Sequence, residues 1–225
     1  MRIACISDTH GRHRKLDIPP CDVLVIAGDM TWRGEMHVLH DLADWCAGLK
    51  LRTTVRTAIV AIAGNHDVSL DPLWVETSEA MAETAHAALT DGGIIYLEDS
   101  TVVIDGISFY GSPWSPRFGK WAFQTDGDED ERRRWKAGDA DVIITHSPPL
   151  GILDWNGQRD ERCGSRVVRE MVLRVAPMLH VFGHLHPGRG VATNGVTTFV
   201  NAASVDKDFN VLQPIVVDLM KPRDR

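Results

Sequence analysis

Short apolar runs recur along the chain, and polar or charged segments separate them. A continuous apolar run is typical of a strand that is buried on both faces of a sheet. The runs that predict strands are Ile3–Ser7, Val23–Ala27, Ala58–Ala63, Ile94–Leu97, Thr101–Ile104, Ile107–Tyr110, Asp141–Thr145, Leu179–Phe182, Thr197–Val200 and Ile215–Leu219. Asp105-Gly106, between two of them, predicts a tight hairpin turn.

Between the strands, a helical spacing of apolar residues predicts amphipathic helices. It is clearest over Glu35–Leu49, where His37 and His40 fall on the polar side and are interpreted as solvated. A second helix is expected from about Leu73 to Leu89, and a third over Ser165–Val175 with Ser165 as its N-cap. The alternation of strands and helices predicts an α/β protein.

Length and composition limit the functions that need be considered. A chain of 225 residues fits one domain, 1–225, with disorder expected only in the tail Lys221–Arg225. The net charge of −7 argues against a large nucleic-acid surface but allows a small phosphorylated substrate, such as a nucleotide. The four scattered cysteines and the short apolar start predict a cytoplasmic protein without a membrane segment.

Five of the predicted strands end in Asp, Asn or His, although the strands contain almost none of these residues. The blocks are Asp8-Thr9-His10, Gly28-Asp29, Gly64-Asn65-His66-Asp67, His146-Ser147-Pro148-Pro149 and Gly183-His184-Leu185-His186. Taken singly, each has a plain alternative as a polar loop or a helix cap. If the strands are mostly parallel, however, their carboxyl ends share one edge, where these side chains converge. Seven oxygen and nitrogen donors exceed the needs of one ion and suggest two metals that share a carboxylate.

The order of these blocks resembles the calcineurin-like metallophosphoesterases, whose pattern is D-x-H, G-D, G-N-H-[D/E], H and G-H-x-H. The resemblance covers the chain from Ile3 to about Leu219. It implies a four-layer α/β sandwich of two mixed β-sheets flanked by helices. His146–Gly151, His180–His186 and Gly111–Trp114 are similar to the metallophosphoesterase-domain-containing (MPPED) branch, which implies a phosphodiesterase for small substrates such as cyclic nucleotides.

The family pattern also implies a role for each site residue. It gives Asp8, His10 and His186 to one metal, and Asn65, His146 and His184 to the other, with Asp29 as the bridge. The implied reaction is in-line attack of a metal-bridging hydroxide on phosphorus. His66 is the candidate that protonates the leaving group, and Asp67 either orients His66 or caps a turn. Manganese is expected from the family, while iron, zinc, nickel, cobalt or magnesium are compatible with these donors.

Other functions compete with this one. Within the same fold, the chain could be a phosphomonoesterase of nucleotides or phosphoproteins, or a nuclease, which its charge disfavours. It could also be a metal-binding scaffold without turnover. The loop Gly111–Gln124, with Trp114, Phe118, Trp121 and Phe123, is interpreted equally as a substrate wall or as a loop packed on its own aromatic residues.

Overall fold

Two large β-sheets pack face to face in the computed structural model, which describes residues 1–52, 54–74, 76–157 and 161–220. The strands are β1 (Arg2–Ile6), β2 (Cys21–Ala27), β3 (Val55–Ile62), β4 (Ile94–Tyr96), β5 (Ser100–Ile104), β6 (Ile107–Ser112), β7 (Ser115–Pro116), β8 (Gln124–Thr125), β9 (Val142–Thr145), β10 (Trp155–Asn156), β11 (Glu161–Arg162), β12 (Leu179–Phe182), β13 (Gly190–Thr193), β14 (Thr198–Asn201) and β15 (Ile215–Asp218). The α-helices are α1 (Met36–Leu51), α2 (Glu79–Asp91), α3 (Asp128–Arg134) and α4 (Arg166–Val175).

Both sheets are parallel in the middle and antiparallel at an edge. The first has the order β15-β1-β2-β3-β4, and only β15 is antiparallel to its neighbour. The second has the order β13-β14-β12-β9-β6-β5, with antiparallel pairing of β13 and β5 at its two edges. The five strands that carry the polar blocks all lie in the parallel regions, so the carboxyl ends of each sheet's strands point the same way.

The alternation of side chains along β1 shows how the layers form. Ile3 and Cys5 face the second sheet, while Ala4 and Ile6 face α1 and α2. Phe109 and Ile144 of the second sheet fill the space between the sheets, and Val172 of α4 covers the outer face of the second sheet. The layers are therefore helix, sheet, sheet and helix, and the predicted four-layer α/β sandwich is confirmed.

The main departure from the predicted elements is the start of α2. That helix was expected from about Leu73 but begins at Glu79, after Ser78, whose hydroxyl accepts a hydrogen bond from the N–H of Met81 at 3.3 Å. Upstream, the carboxylate of Asp71 accepts hydrogen bonds from the N–H groups of Leu73 and Phe123 at 2.9 and 2.8 Å. This non-helical turn joins two distant parts of the chain.

Several smaller expectations are decided as well. The hairpin at Asp105-Gly106 is confirmed, because Ile104 pairs with Ile107. The strands β7, β8, β10, β11 and β13 lack a clear apolar run and were not predicted. Val75, within the expected second helix, and the tail Lys221–Arg225 lie outside the described residues. In the described parts of the chain, no helix is long and apolar enough to cross a membrane.

Ser165 and Glu131 connect α4 to α3. The Ser165 hydroxyl accepts a hydrogen bond from the N–H of Val168 at 3.0 Å, as expected of the predicted N-cap, and donates one to Glu131 at 2.7 Å. Burial raises the pKa of Glu131 to about 7, although the Ser165 hydroxyl opposes this shift. A buried carboxyl with a raised pKa stays protonated in the folded protein at a pH where the unfolded chain has lost that proton.

We expect Glu131→Gln to change how stability depends on pH. The contribution of Glu131 to the free energy of unfolding should be largest below pH 4.5 and fall by up to about 3 kcal/mol as the pH rises through 7. Gln cannot ionise, so the variant should lose this part of the pH dependence and be more stable than the wild type at pH 8. Urea unfolding between pH 4 and 8 measures both effects, with Glu129→Gln, exposed on the same helix, as the control. Equal pH slopes in the wild type and in Glu131→Gln would contradict the prediction.

Candidate metal centre

The carboxyl ends of β1, β2, β3, β9 and β12 meet at one edge of the sandwich. Three groups of side chains there could each hold a metal ion, because one ligand atom from each member lies within 4.8 Å of those of the other two members. The groups are Asp8, His10 and His186; Asp29, His146 and His184; and His10, Asp29 and His66. Asn65 joins them, with its Oδ1 3.1 Å from Nε2 of His146. The seven side chains that the sequence singled out as ligands therefore lie together, and Asp29 belongs to two of the three groups.

The imidazole rings of His10 and His146 are oriented by main-chain carbonyls. Nδ1 of His10 lies 3.0 Å from the carbonyl oxygen of Thr31, and Nδ1 of His146 lies 2.9 Å from that of Ala27. A proton on Nδ1 satisfies each carbonyl and leaves the lone pair of Nε2 free. Nε2 of His146 faces Asp29 Oδ1 at 3.3 Å, so this lone pair is directed into the cluster.

The two candidate carboxylate ligands are almost completely buried. Asp8 is 0% and Asp29 is 2% exposed. Each accepts main-chain hydrogen bonds, Asp8 from the N–H of His184 at 3.0 Å and Asp29 from the N–H of His66 at 2.8 Å. Within the described ranges, their ion pairs are with His186 and His146, and none is with lysine or arginine. Buried carboxylates need cationic partners, and this donor set of imidazole, carboxylate and amide suits divalent metal ions.

The pKa values of the site reflect the same balance of burial and charge. Burial alone would lower the pKa of His146, but the Asp29 carboxylate raises it to about 9. Burial raises the pKa of Asp29, but the neighbouring imidazoles, above all that of His146, outweigh burial and lower this pKa below its usual value. The pKa of His184 falls to about 4 because the ring is buried and close to His146. In the metal-free protein the Asp29 carboxylate therefore stabilises a proton on His146, which a bound cation would replace, while the ring of His184 stays neutral and able to bind a cation.

Four of the seven candidate ligands have a left-handed backbone. The φ angles of Asp8, His10, Asp29 and His184 are 54°, 44°, 52° and 66°. Such angles cost on the order of 1–3 kcal/mol in residues other than glycine, and they cluster at functional sites. The strand-end turns therefore direct these side chains into the centre at the expense of local backbone stability.

Two glycines make room for the ligands. A Cβ at Gly183 would collide with the carboxylate of Asp8 and the hydroxyl of Ser7, and one at Gly64 would collide with the carboxylate of Asp29. Neither glycine has a positive φ, so the requirement there is for space. The glycines that precede Asn65 and His184 in the sequence motifs thus let the loops of the two sheets approach each other.

His66 and Asp67 do not interact as expected. Nδ1 of His66 lies 2.6 Å from the carbonyl oxygen of Trp32, so Trp32 rather than Asp67 orients the ring. The Asp67 carboxylate instead accepts hydrogen bonds from the N–H groups of Met30, Thr31 and Gly64 and from the Thr31 hydroxyl, at 2.8 to 3.2 Å. The orienting role predicted for Asp67 is therefore wrong, because its oxygens join the loops that follow β2 and β3. The alternative, that Asp67 caps a turn, agrees with the structure, because its carboxylate accepts from the N–H of Gly64 and its own N–H donates to the carbonyl of Gly64. It makes no side-chain cap of the short helical turn that follows it.

A cleft of about 490 Å³ opens over the cluster, and its walls are aromatic. Phe118 contacts the ring of His184 at a centroid distance of 5.0 Å, and Trp121 contacts that of His66 at 4.3 Å. The loop Gly111–Gln124 thus lines the cleft with Phe118 and Trp121 and also packs on its own aromatic residues, because Trp114 and Phe123 are buried in the core.

The opposite wall was missed in the sequence. The ring centroids of Trp32 and Phe209 lie 5.1 Å apart there, and both rings contact the ring of His10. Trp32 follows the Gly28-Asp29 block by only three residues, which is a signal that could have found it. Phe209 lies in a loop near the end of the chain, and no motif precedes it.

The fold and the clustered donors define a protein of the metallophosphoesterase class. A profile of the calcineurin-like phosphoesterases matches residues 1–188. The chain belongs to this family, and membership implies a phosphoester hydrolase.

Known relatives support the same assignment. The chain is 35% identical to human metallophosphoesterase domain-containing protein 1, over 99% of this chain and 72% of that protein, so the predicted similarity to the MPPED branch is confirmed. It is 36% identical to the UPF0046 protein K07C11.7 of Caenorhabditis elegans, over 98% of this chain and 76% of that protein. Among solved structures, TT1561 of Thermus thermophilus is similar in fold, with a TM-score of 0.59, 13% identity and coverage of 89% of this chain and 88% of that one.

We expect Asp67→Asn to destabilise the protein without adding or removing a candidate metal ligand. One carboxylate oxygen accepts from two N–H groups, those of Met30 and Gly64, and an amide NH2 placed there would face donors only. The expected loss in the free energy of unfolding is about 2–3 kcal/mol at pH 8, measured by urea unfolding. Asp44→Asn, exposed on α1, is the control and should change stability little. Wild-type stability of Asp67→Asn would contradict the proposed connection between the loops.

Proposed function

We propose that this protein is a dinuclear metal-dependent phosphodiesterase that acts on small substrates such as cyclic nucleotides. The observation that carries the proposal is the double membership of Asp29, which lies within 4.8 Å of His10 in one donor group and of His146 and His184 in another. A carboxylate in that position is suited to bridge two cations.

The donor groups suggest which residues would bind each metal. Asp8, His10 and His186 would bind one ion, and Asn65, His146 and His184 the other, with Asp29 between them. When bound, two divalent ions supply positive charge for the phosphate and a water of lowered pKa. Manganese is our first choice on family grounds.

His66 is positioned to serve the leaving group. Its Nδ1 faces the carbonyl of Trp32, so Nε2 is the nitrogen that is free for proton transfer. The ring lines the cleft and contacts both His10 and Trp121. From there, Nε2 can donate a proton to the oxygen that leaves when the ester bond breaks.

The shape of the cleft favours a small substrate with a planar group. Trp32 and Phe118 line the cleft and are 47% and 44% exposed, so their rings are accessible to a ligand there. Aromatic rings on both sides can stack on a nucleobase while the phosphate lies at the polar floor. The motifs that resemble the MPPED branch imply the same substrate class.

Comparison of a diester with a monoester tests the proposal. After removal of metal with a chelator, we expect no hydrolysis, and after addition of Mn²⁺ we expect kcat/KM for bis(4-nitrophenyl) phosphate to exceed that for 4-nitrophenyl phosphate by about tenfold or more. Release of nitrophenol measures both reactions. A preference for the monoester would favour a phosphomonoesterase, and no hydrolysis of any phosphoester by fully loaded protein would favour a binding role.

A pair of histidine variants separates the metal centre from other imidazoles. His146→Ala should lose one bound metal and most of the diesterase activity, while His40→Ala, exposed on α1, should keep both. Metal content measured by mass spectrometry gives a result that is independent of activity. Full metal content in His146→Ala would overturn the assignment of that residue.

Replacement of His66 should act on the leaving group. We expect His66→Ala to retain its metals but to lose about 10²–10⁴-fold in kcat for cyclic nucleotides, whose alkoxide leaving group needs a proton. Nitrophenyl esters should lose much less, because nitrophenolate leaves without protonation. Equal losses on both kinds of substrate would remove the proton-donor role.

A further inference from the structure

A tight hairpin, which runs from Val205 to Val211, carries Phe209 into the metal cleft. The N–H of Asp206 donates to the carbonyl of Asn210 at 3.0 Å, and the N–H of Phe209 donates to the carbonyl of Asp206 at 3.1 Å. The loop between Asp206 and Asn210 therefore has three residues, and Phe209 is the last of them. We call this segment the Phe209 hairpin.

Phe209 occupies the position of this turn that favours glycine. Three-residue hairpin loops commonly end in a residue with a left-handed backbone, and the φ angle of Phe209 is 60°. That conformation is unfavourable for a bulky residue, and residues strained in this way cluster at binding and catalytic sites. The chain thus places an aromatic ring where the local backbone favours glycine, so the contacts of the ring must explain its presence.

The side chain of Asp206 holds the hairpin in this shape. Its Oδ1 accepts hydrogen bonds from the N–H groups of Asp208 and Asn210 at 2.8 and 2.9 Å, and its Oδ2 accepts one from the side-chain amide of Asn210 at 3.0 Å. These bonds span the whole turn. Asp206 therefore sets the direction in which Phe209 leaves it.

The ring of Phe209 stands at a steep angle to the rings around it. Its centroid lies 5.1 Å from that of Trp32, 5.9 Å from that of His10 and 5.8 Å from that of His186, with 64°, 71° and 90° between the planes. The guanidinium group of Arg12 lies over the ring at 5.4 Å. Among the residues that the structure describes, no aromatic ring is stacked parallel to Phe209.

The rings of the opposite wall are engaged differently. Trp121 lies against His66, with 4.3 Å between the centroids and only 39° between the planes, so its ring packs on the candidate proton donor. Phe118 is then the remaining aromatic side chain of that wall, and it contacts His184 at 5.0 Å. Trp32 and Phe209 together form the larger aromatic corner of the cleft.

We propose that the Phe209 hairpin recognises the base of the substrate, with the ring of Phe209 as the platform on which the base stacks and Asp206 as its positioning residue. The inference rests on the proposed function, because it assigns the planar part of the substrate to one side of the same cleft, beside His10 and His186. Every nucleobase has a π-face, so this contact favours nucleotides over phosphoesters without a base.

Two ligands that differ in the presence of a base test the proposal. Calorimetry with the Mn²⁺-loaded protein gives the ratio of the dissociation constants of ribose 5-phosphate and AMP, which measures the preference for the base. We expect Phe209→Leu, which keeps an apolar side chain, to reduce this ratio by about fivefold to hundredfold, and Phe209→Tyr, which keeps the ring, to retain it. Metal content and the affinity for ribose 5-phosphate should stay close to wild type in both variants, which damage to the fold would not allow.

Phe118→Leu, on the opposite wall, is the matched comparison and should reduce the ratio less than Phe209→Leu does. A larger reduction in Phe118→Leu would overturn the proposal, as would a wild-type protein that binds AMP no more tightly than ribose 5-phosphate. If the loaded protein hydrolyses no phosphodiester, the proposed function fails, while the ratio for AMP still decides about Phe209.

Replacement of Asp206 tests the hairpin itself. Asp206→Ala removes the acceptors of the turn and should reduce the preference for AMP as Phe209→Leu does. Asp206→Asn should retain most of it, because the amide oxygen of Asn can accept the same two main-chain hydrogen bonds. Asp208→Ala, exposed in the same turn, is the control. An equal preference for AMP in Asp206→Ala and in the wild type would overturn the positioning role.

Discussion

Two carboxylates with almost no contact with water, those of Asp8 and Asp29, impose the main constraint on this fold. Burying an ionised carboxylate costs several kcal/mol unless hydrogen bonds and positive charge compensate. Here the compensation comes from main-chain N–H groups of other loops and from imidazoles. Because those partners belong to both sheets, the carboxylates can be satisfied only when the two sheets are packed together.

The same constraint explains features that would otherwise be separate. The loops approach so closely that side chains at Gly64 and Gly183 would collide with the carboxylates. Asp8, His10 and Asp29, three of the four candidate ligands with a left-handed backbone, take part in main-chain hydrogen bonds between neighbouring loops. The N–H of Asp8 donates to the carbonyl of Gly28, and the N–H of His10 donates to the carbonyl of Asp29. Asp67 adds a further connection through Thr31 and Gly64. The rigidity of the centre is therefore a property of linked loops, whereas the strands fix only where those loops begin.

The sequence predicts the parts of this structure that follow from local chemistry. Apolar runs that end in Asp, Asn or His placed all seven candidate ligands, because parallel strands bring their carboxyl ends to one edge. The start of α2 and the contacts of His66 were not predictable in this way. Both depend on partners far along the chain, Phe123 for the turn at Asp71 and Trp32 for His66. A pattern within ten residues carries no information about such pairs.

The floor and the walls of the cleft are built differently, and this has a consequence for specificity. The floor consists of strand-end residues joined by buried hydrogen bonds, so a substitution there disturbs the fold as well as the chemistry. The walls, Trp32, Phe118, Trp121 and Phe209, project from loops and are partly exposed. A change of ring on a loop alters the shape of the cleft while the buried donors keep their partners. Substrate preference can therefore vary in this fold while the arrangement of the candidate metal ligands is preserved.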